Sequence, residues 1–201
     1  MVTDDRPVHG SFADNPLACA STTRLSLRPA EERDLADLHR LYSDPAVWGP
    51  DPVSRHGTPD QTAALIERNR AAWHRDGLGM WVARSTEAGT EGDLVGFGGC
   101  SLRSGVAWNL GFRLVRSYWG RGLAQEIIAA GVGAVKTVGA ALPLTAYLLE
   151  GNSRSQRAIE RAGLHPVWRG PDAGNPDPGA VRLLYADREL TPSLVAALTE
   201  E

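Results

Sequence analysis

A chain of 201 residues with 42% hydrophobic content is long enough for one domain with a sizeable core. Its formal net charge of -3 and pI near 6.0 lack the clustered basic excess of a nucleic-acid binder, and Cys19 and Cys100 are too few and too far apart for a disulfide framework or a zinc site. No apolar run approaches the ~18 residues of a membrane span, and no basic n-region or continuous apolar run precedes Leu17-Ala-Cys-Ala20 to make an export signal. The expectation is a cytoplasmic protein with free thiols and with neither a nucleic-acid nor a membrane partner.

Residues 1–22 are polar, contain Pro7 and Pro16 and show no hydrophobic period, so they read as a loose N-terminal arm. Arg24 to Arg28 alternates as a strand, and Leu35, Leu38, Leu41 and Tyr42 recur at helical spacing. Ser43 to Pro59 carries four prolines together with Trp48, Asp51 and His56, a long irregular connection of the kind that borders binding sites. Thr58-Pro-Asp-Gln61 is a helix start, with Thr58 and Gln61 forming a capping box around Pro59. Gly79–Arg84 and Leu94–Leu102 make a hairpin, and Val106–Val115 a further strand. A helix from Gly120 to about Val138 and a strand from Leu142 to Leu149 follow, so the last two strands should be parallel neighbours. Gly131 and Gly133 each cost that helix roughly 1 kcal/mol against Ala, which implies close packing or a break.

A short helix from Ser153 to Ala162 ends at Gly163, and Ser153 with Gln156 reads as its capping box. His165–Arg169 and Val181–Leu190 are the final strands of an α/β, or mixed α+β, domain over 23–190. Residues 191–201 form a short helical tail whose Leu194, Val195 and Leu198 need cover from this subunit or a second copy, so a homodimer is one expectation.

The chemistry centres on Arg116-Ser-Tyr-Trp119-Gly120-Arg121-Gly122-Leu123-Ala124-Gln125. Two glycines at the opening of a helix let backbone N–H groups approach an anion, and Arg121 adds charge there. No Gly-Lys-Ser/Thr follows as in a P-loop, and Gln125 stands at the third glycine of a dinucleotide fingerprint. The loop is followed by a helix, a strand, Asn152-Ser-Arg-Ser155 and Arg161-Ala-Gly163-Leu164. This array, from about Leu25 to Leu190, resembles the GNAT N-acetyltransferase superfamily, and within it the branch of the ribosomal-protein N-terminal serine and alanine acetyltransferases.

The resemblance implies a mixed, mostly antiparallel sheet with about four flanking helices and a splayed parallel strand pair that admits acetyl-CoA. It further implies that Phe112, Arg113, Leu114 and Val115 line the pantetheine arm, and that Arg116, Gly120, Arg121, Gly122, Leu123 and Ala124 serve the pyrophosphate. Asn152 would bond the CoA arm, and Ser155 would be the proton donor to the thiolate. The branch places Glu-Leu-Gly-Tyr on the central strand, whereas this chain has Asn109-Leu-Gly-Phe112, and an amide is no base at neutral pH. Freeing a Lys amine (pKa ~10.4) at pH ~7.5 costs about 4 kcal/mol, an α-amine near ~8 under ~1 kcal/mol.

A low-pKa amine acceptor follows, with Asn109 orienting the nucleophile or a water. Rival bases are Glu150 and His56. Trp48, Asp51, His56 and Trp108 are the candidate acceptor contacts. The acceptor is a protein or peptide N-terminus or a small-molecule amine; an antibiotic-modifying enzyme and a non-catalytic acyl-CoA-binding module are the alternatives. Cys100 reads as a small buried hydrophobe.

Overall fold

The structure, a computed structural model, describes residues 12, 14–49, 51–139, 141–173 and 175–199. The rest of the N-terminal arm and the last two residues of the tail lie outside the described residues. The strands are β1 (Ala20–Ser21), β2 (Leu25–Pro29), β3 (Met80–Ser85), β4 (Leu94–Arg103), β5 (Ala107–Leu114), β6 (Leu144–Leu149), β7 (His165–Pro171) and β8 (Val181–Ala186). The helices are α1 (Leu35–Ser43), α2 (Pro45–Trp48), α3 (Pro59–Asp76), α4 (Leu123–Gly139), α5 (Ser153–Arg161) and α6 (Pro192–Thr199). The sheet order is β1-β2-β3-β4-β5-β6-β8-β7, and every adjacent pair is antiparallel except β5 and β6. The expected mixed, mostly antiparallel sheet with one parallel pair is therefore the observed one.

α4 packs on one sheet face, where Ile127, Ile128, Ala134 and Val135 join Trp108, Leu110 and Leu114 in the main core. Leu38, Leu41, Tyr42 and Ile66 of α1 and α3 cover the other face against Val82 and Phe97. Gly131 belongs to this packing, because a Cβ there would lie 3.1 Å from Cys100 Sγ, whereas one at Gly133 would meet nothing within 4 Å. Close helix–sheet approach thus accounts for the first glycine only.

Local chemistry sets most helix starts. Thr58 and Gln61 form the expected capping box, and the Asp44 side chain accepts from Ala46 N at 2.8 Å to start α2 inside the long connection. For α5 the expectation is corrected: Asn152 is the cap, its Oδ1 accepting from Ser155 N at 3.2 Å, while Gln156 Nε2 donates to Glu150 O. Ser153 sits inside the first turn and plays no capping part.

Residues 14–22, expected as part of a loose arm, pack on the domain. Ala18 is fully buried, Trp81 Nε1 donates to Leu17 O at 3.0 Å, Asn15 Nδ2 donates to Gly77 O, and β1 adds an edge strand. Apolar residues here are too sparse for any period; they are buried because they fit beside Trp73 and Trp81. On the α1 side, buried Asp34 accepts two bonds from Arg28 and one from Arg84, each at 2.7 Å. Burial pushes its carboxyl pKa up, but these bonds and the Glu31 amide outweigh burial and hold it below the ordinary value. Removing one partner of such a cluster costs about 3–5 kcal/mol.

Candidate active site

Strands β5 and β6 part shortly after they meet. Their parallel pairing runs only through Trp108↔Leu144 and Asn109↔Thr145, whereas β5 stays with β4 as far as Gly96↔Leu114 and β6 stays with β8 as far as Leu149↔Arg182. Glycines on β4 let the outer half of β5 lean toward it: a Cβ at Gly96 would sit 2.3 Å from Arg113 O, and one at Gly98 2.9 Å from Gly111 O. Trp108 N donates to Pro143 O across the β5–β6 edge, so by strand alternation the N–H groups of Phe112 and Leu114 face the same edge, beyond the point where β6 has left. The gap holds a recess of about 30 Å³, lined among others by Phe112, Arg113, Tyr147, Asn152, Ser155 and Arg182.

A cleft of about 890 Å³ continues from this gap. One wall is the turn into α4: Gly120, Gly122, Leu123, Ala124 and Gln125 line it. Gly120 (φ 75°) and Gly122 (φ 81°) take left-handed backbone, which delays α4 until Leu123; Gln125 N donates back to Gly122 O at 3.0 Å, and the N–H groups of Leu123 and Ala124 have no intrahelical acceptor. Side chains hold this turn: Trp119 Nε1 donates to Leu114 O at 2.9 Å, and Tyr118 OH to Asp93 at 3.2 Å. Arg121 bonds Glu87 at 2.7 Å and lies outside the cleft lining.

The opposite wall is α5. Asn152 Oδ1 is committed to the cap, and its Nδ2 has no partner among the described residues, nor has the Ser155 hydroxyl. Arg154, Arg157 and Arg161 line this wall, with Arg154 4.8 Å over the Trp119 ring. Gln125 Nε2 donates to Ala158 O at 3.0 Å and ties the two walls together. At the other end Ala46, Val47, Trp48 and Asp51 close the cleft, and Arg113 stacks 4.4 Å over Trp48, whose Nε1 donates to Leu41 O.

Residues 24–165 match the model of the acetyltransferase (GNAT) domain. The chain belongs to the GNAT acetyltransferase family. A relative in Bacillus subtilis, the uncharacterized protein YkkB, is 27% identical over 147 residues, covering 72% of this chain and 83% of that one. Among solved structures, RimL, a ribosomal L7/L12 alpha-N-protein acetyltransferase in complex with coenzyme A, superposes with a TM-score of 0.68 at 19% identity, over 85% of this chain and 97% of that chain. An acetyltransferase from Salmonella typhimurium that modifies the N-terminal serine of L7/L12 gives 0.69 at 17% identity, over 88% and 99% of the two chains. These likenesses are of fold; the family match makes this chain a GNAT-type N-acetyltransferase.

The acetyltransferase brings most of the anticipated residues to one place. Phe112, Arg113, Leu114, Gly120, Gly122, Leu123, Ala124, Asn152, Ser155, Trp48 and Asp51 all line the cleft. Val115, Arg116 and Arg121 do not, because the chain turns through a 3-10 turn at Arg116–Tyr118 and Arg121 swings to Glu87. Trp108 is buried under α4. Asn109 sits at the fork of the two strands, outside the cleft lining, with a buried Oδ1 that has no hydrogen-bond partner among the described residues.

His56 also lies elsewhere, stacked on Tyr42 with Nδ1 2.8 Å from Thr62 Oγ1, and burial, then His39 and Arg68, lower its pKa. Glu150 is exposed and bonded twice by Arg169, which holds its carboxyl below the ordinary value. Burial raises the Cys100 thiol to about 12, so it is inert as expected. Sequence reasoning missed Tyr118, Arg154, Arg157, Arg161 and Arg182; the spacing of the α5 arginines was the one available signal.

Proposed function

We propose that the protein transfers the acetyl group of acetyl-CoA to a primary amine of low pKa, an α-amine of a peptide or protein N-terminus or of a small molecule. The observation that carries this is the open edge of β5 running into an unpartnered serine hydroxyl at the start of α5. Acetyl-CoA supplies an activated carbonyl when bound. The likeness to RimL in complex with coenzyme A supports the choice of cosubstrate. In this assignment the N–H groups of Phe112 and Leu114 bond the pantetheine and the thioester oxygen, and Asn152 Nδ2 donates to a pantetheine carbonyl. The first turn of α4 takes the pyrophosphate. The amine nitrogen bonds the carbonyl carbon as the C–S bond breaks; Ser155 Oγ–H gives its proton to the departing sulfur, and the proton released by the amine returns through water to restore the Ser155 hydroxyl.

Proton removal from the amine is the step for which the site offers least. Glu150 is committed to Arg169, His56 lies outside the cleft lining, and Asp51 is the one carboxylate lining the cleft among the described residues. An amine that is already largely neutral near pH ~8 needs no strong base, whereas a Lys side chain does. Asp51 then holds the acceptor beside the stacked Arg113 and Trp48, and the orphaned, buried Asn109 Oδ1 accepts from a bound water. Polycations suit this end poorly, since Arg113 stands beside the single acid.

The test is a thiol-release panel with acetyl-CoA against peptides beginning Ser, Ala or Met, amino acids, polyamines and aminoglycosides, followed by pH–rate profiles. Peptide α-amines should lead, with rates reaching a plateau near the α-amine pKa of ~8. A free-lysine side chain outrunning every α-amine would overturn the assignment, and CoA binding without turnover on any amine would overturn the activity.

A further inference from the structure

Positive charge along the cleft is concentrated on α5. Arg154, Arg157 and Arg161 fall at i, i+3 and i+7, one stripe of the helix, and all three line the cleft. None of the three has an ion-pair partner among the described residues. Glu160, the one acid on α5, is taken by the Tyr185 hydroxyl at 3.0 Å. Neighbouring like charges on one helix face repel, so such a row weakens the helix unless an anion lies against it. Elsewhere Arg24, Arg84, Arg121, Arg169 and Arg182 each hold a carboxylate within 2.9 Å, Arg121 included although it sits in the glycine turn.

The row has direction as well as charge. It begins beside Ser155, at the inner end of the cleft, and Arg154 is fixed against Trp119 of the α4 turn. Arg157 and Arg161 lie further along α5, about 10 Å from first to last at the ~1.5 Å rise of a helix. A ligand whose diphosphate rests on the first turn of α4 therefore passes Arg154 first and meets Arg157 and Arg161 with whatever phosphate lies beyond it. In a 3′-phosphorylated adenosine diphosphate that group is a phosphomonoester carrying close to two negative charges.

We propose that Arg157 and Arg161 form a 3′-phosphate site that makes this acetyltransferase selective for CoA over dephospho-CoA. The inference rests on the acetyl-CoA reading and assigns the anchoring charge to α5, not to Arg121. Isothermal titration of the full chain with CoA and with dephospho-CoA tests it, on the wild type and on the R157Q/R161Q variant. The Arg75→Gln variant, which removes one positive charge outside the cleft, is the control for charge alone, and far-UV circular dichroism checks folding. The wild type should bind CoA at least ~10-fold more tightly than dephospho-CoA, as expected for charge-assisted bonds to a phosphate. R157Q/R161Q should abolish that preference and leave dephospho-CoA affinity within ~3-fold of wild type. Equal wild-type affinities, equal losses for both ligands in the double variant, or the same loss in Arg75→Gln would each overturn the site. Absence of any CoA binding by the wild type would instead sink the acetyl-CoA reading on which it stands.

Discussion

α4 enters the cleft through a glycine turn whose arginine faces away toward Glu87, whereas α5 enters it through a capped start followed by three arginines without acid partners among the described residues. The α4 wall offers backbone: left-handed glycines and first-turn N–H groups, which no side chain can replace and only a Cβ can spoil. The α5 wall offers side chains, among them the hydroxyl assigned to proton donation and the guanidinium row. Two helix starts that look alike in outline thus divide the work, one supplying geometry and the other charge and a proton.

Removing the proton should separate the walls most widely. Ser155→Ala is expected to lower kcat about 100-fold while leaving CoA affinity unchanged, read by steady-state kinetics beside titration calorimetry. Unchanged kcat would take the serine out of the chemistry. Next comes the backbone wall: Gly122→Val puts a β-branched residue at φ 81° and a Cβ near Arg24, and should weaken CoA binding roughly 10-fold or more. Wild-type affinity in that variant would show that the α4 turn does not hold the ligand.

Arg121→Gln should change CoA affinity by less than ~3-fold, because its guanidinium is already spent on an exposed pair with Glu87. A loss as large as that from the α5 double variant would erase the contrast between the walls. Glu150→Gln probes the edge of the α5 wall. Arg169 holds the carboxyl below its ordinary pKa, so it is ionised from pH 6 upward and takes up no proton there. The pH–rate profile should therefore keep its wild-type midpoint; a shifted basic limb would make Glu150 the base after all. The smallest effect separates the two faces of α4: Gly133→Ala should raise stability by about 0.5–1 kcal/mol in urea unfolding. Gly131→Ala should give no such gain, since its Cβ meets Cys100 Sγ at 3.1 Å.

Much of the fold was legible because its signals are local. Thr58 and Gln61 cap α3 as their spacing says, since a capping box involves only residues three apart. Gly120 and Gly122 marked the turn into α4 because only that residue type takes left-handed backbone without cost. Where two local solutions competed, the sequence misled: Ser153 and Gln156 have the spacing of a box, yet Asn152, one residue earlier, reaches the N–H of Ser155 and wins the cap. The strand from 181 was read four residues too long, because Asp187 accepts from Leu144 N and turns the chain out of the sheet.

The roles of the charges were decided at longer range. Arg121 was assigned to a phosphate from its place beside two glycines, but Glu87 is 34 residues away in the chain and becomes its partner only when the β3–β4 connection folds over the turn. The parting of β5 and β6 is likewise absent from either strand's own pattern; it arises where Gly96 and Gly98 of β4 let β5 lean away. Residue order by itself specified most of the elements, the α3 cap and the glycine turn, all governed by neighbours within about a helical turn. Which cations face the cleft, which are cancelled, and where the sheet opens came only with tertiary packing, because electrostatic pairing and backbone approach depend on distance in space and not on distance along the chain.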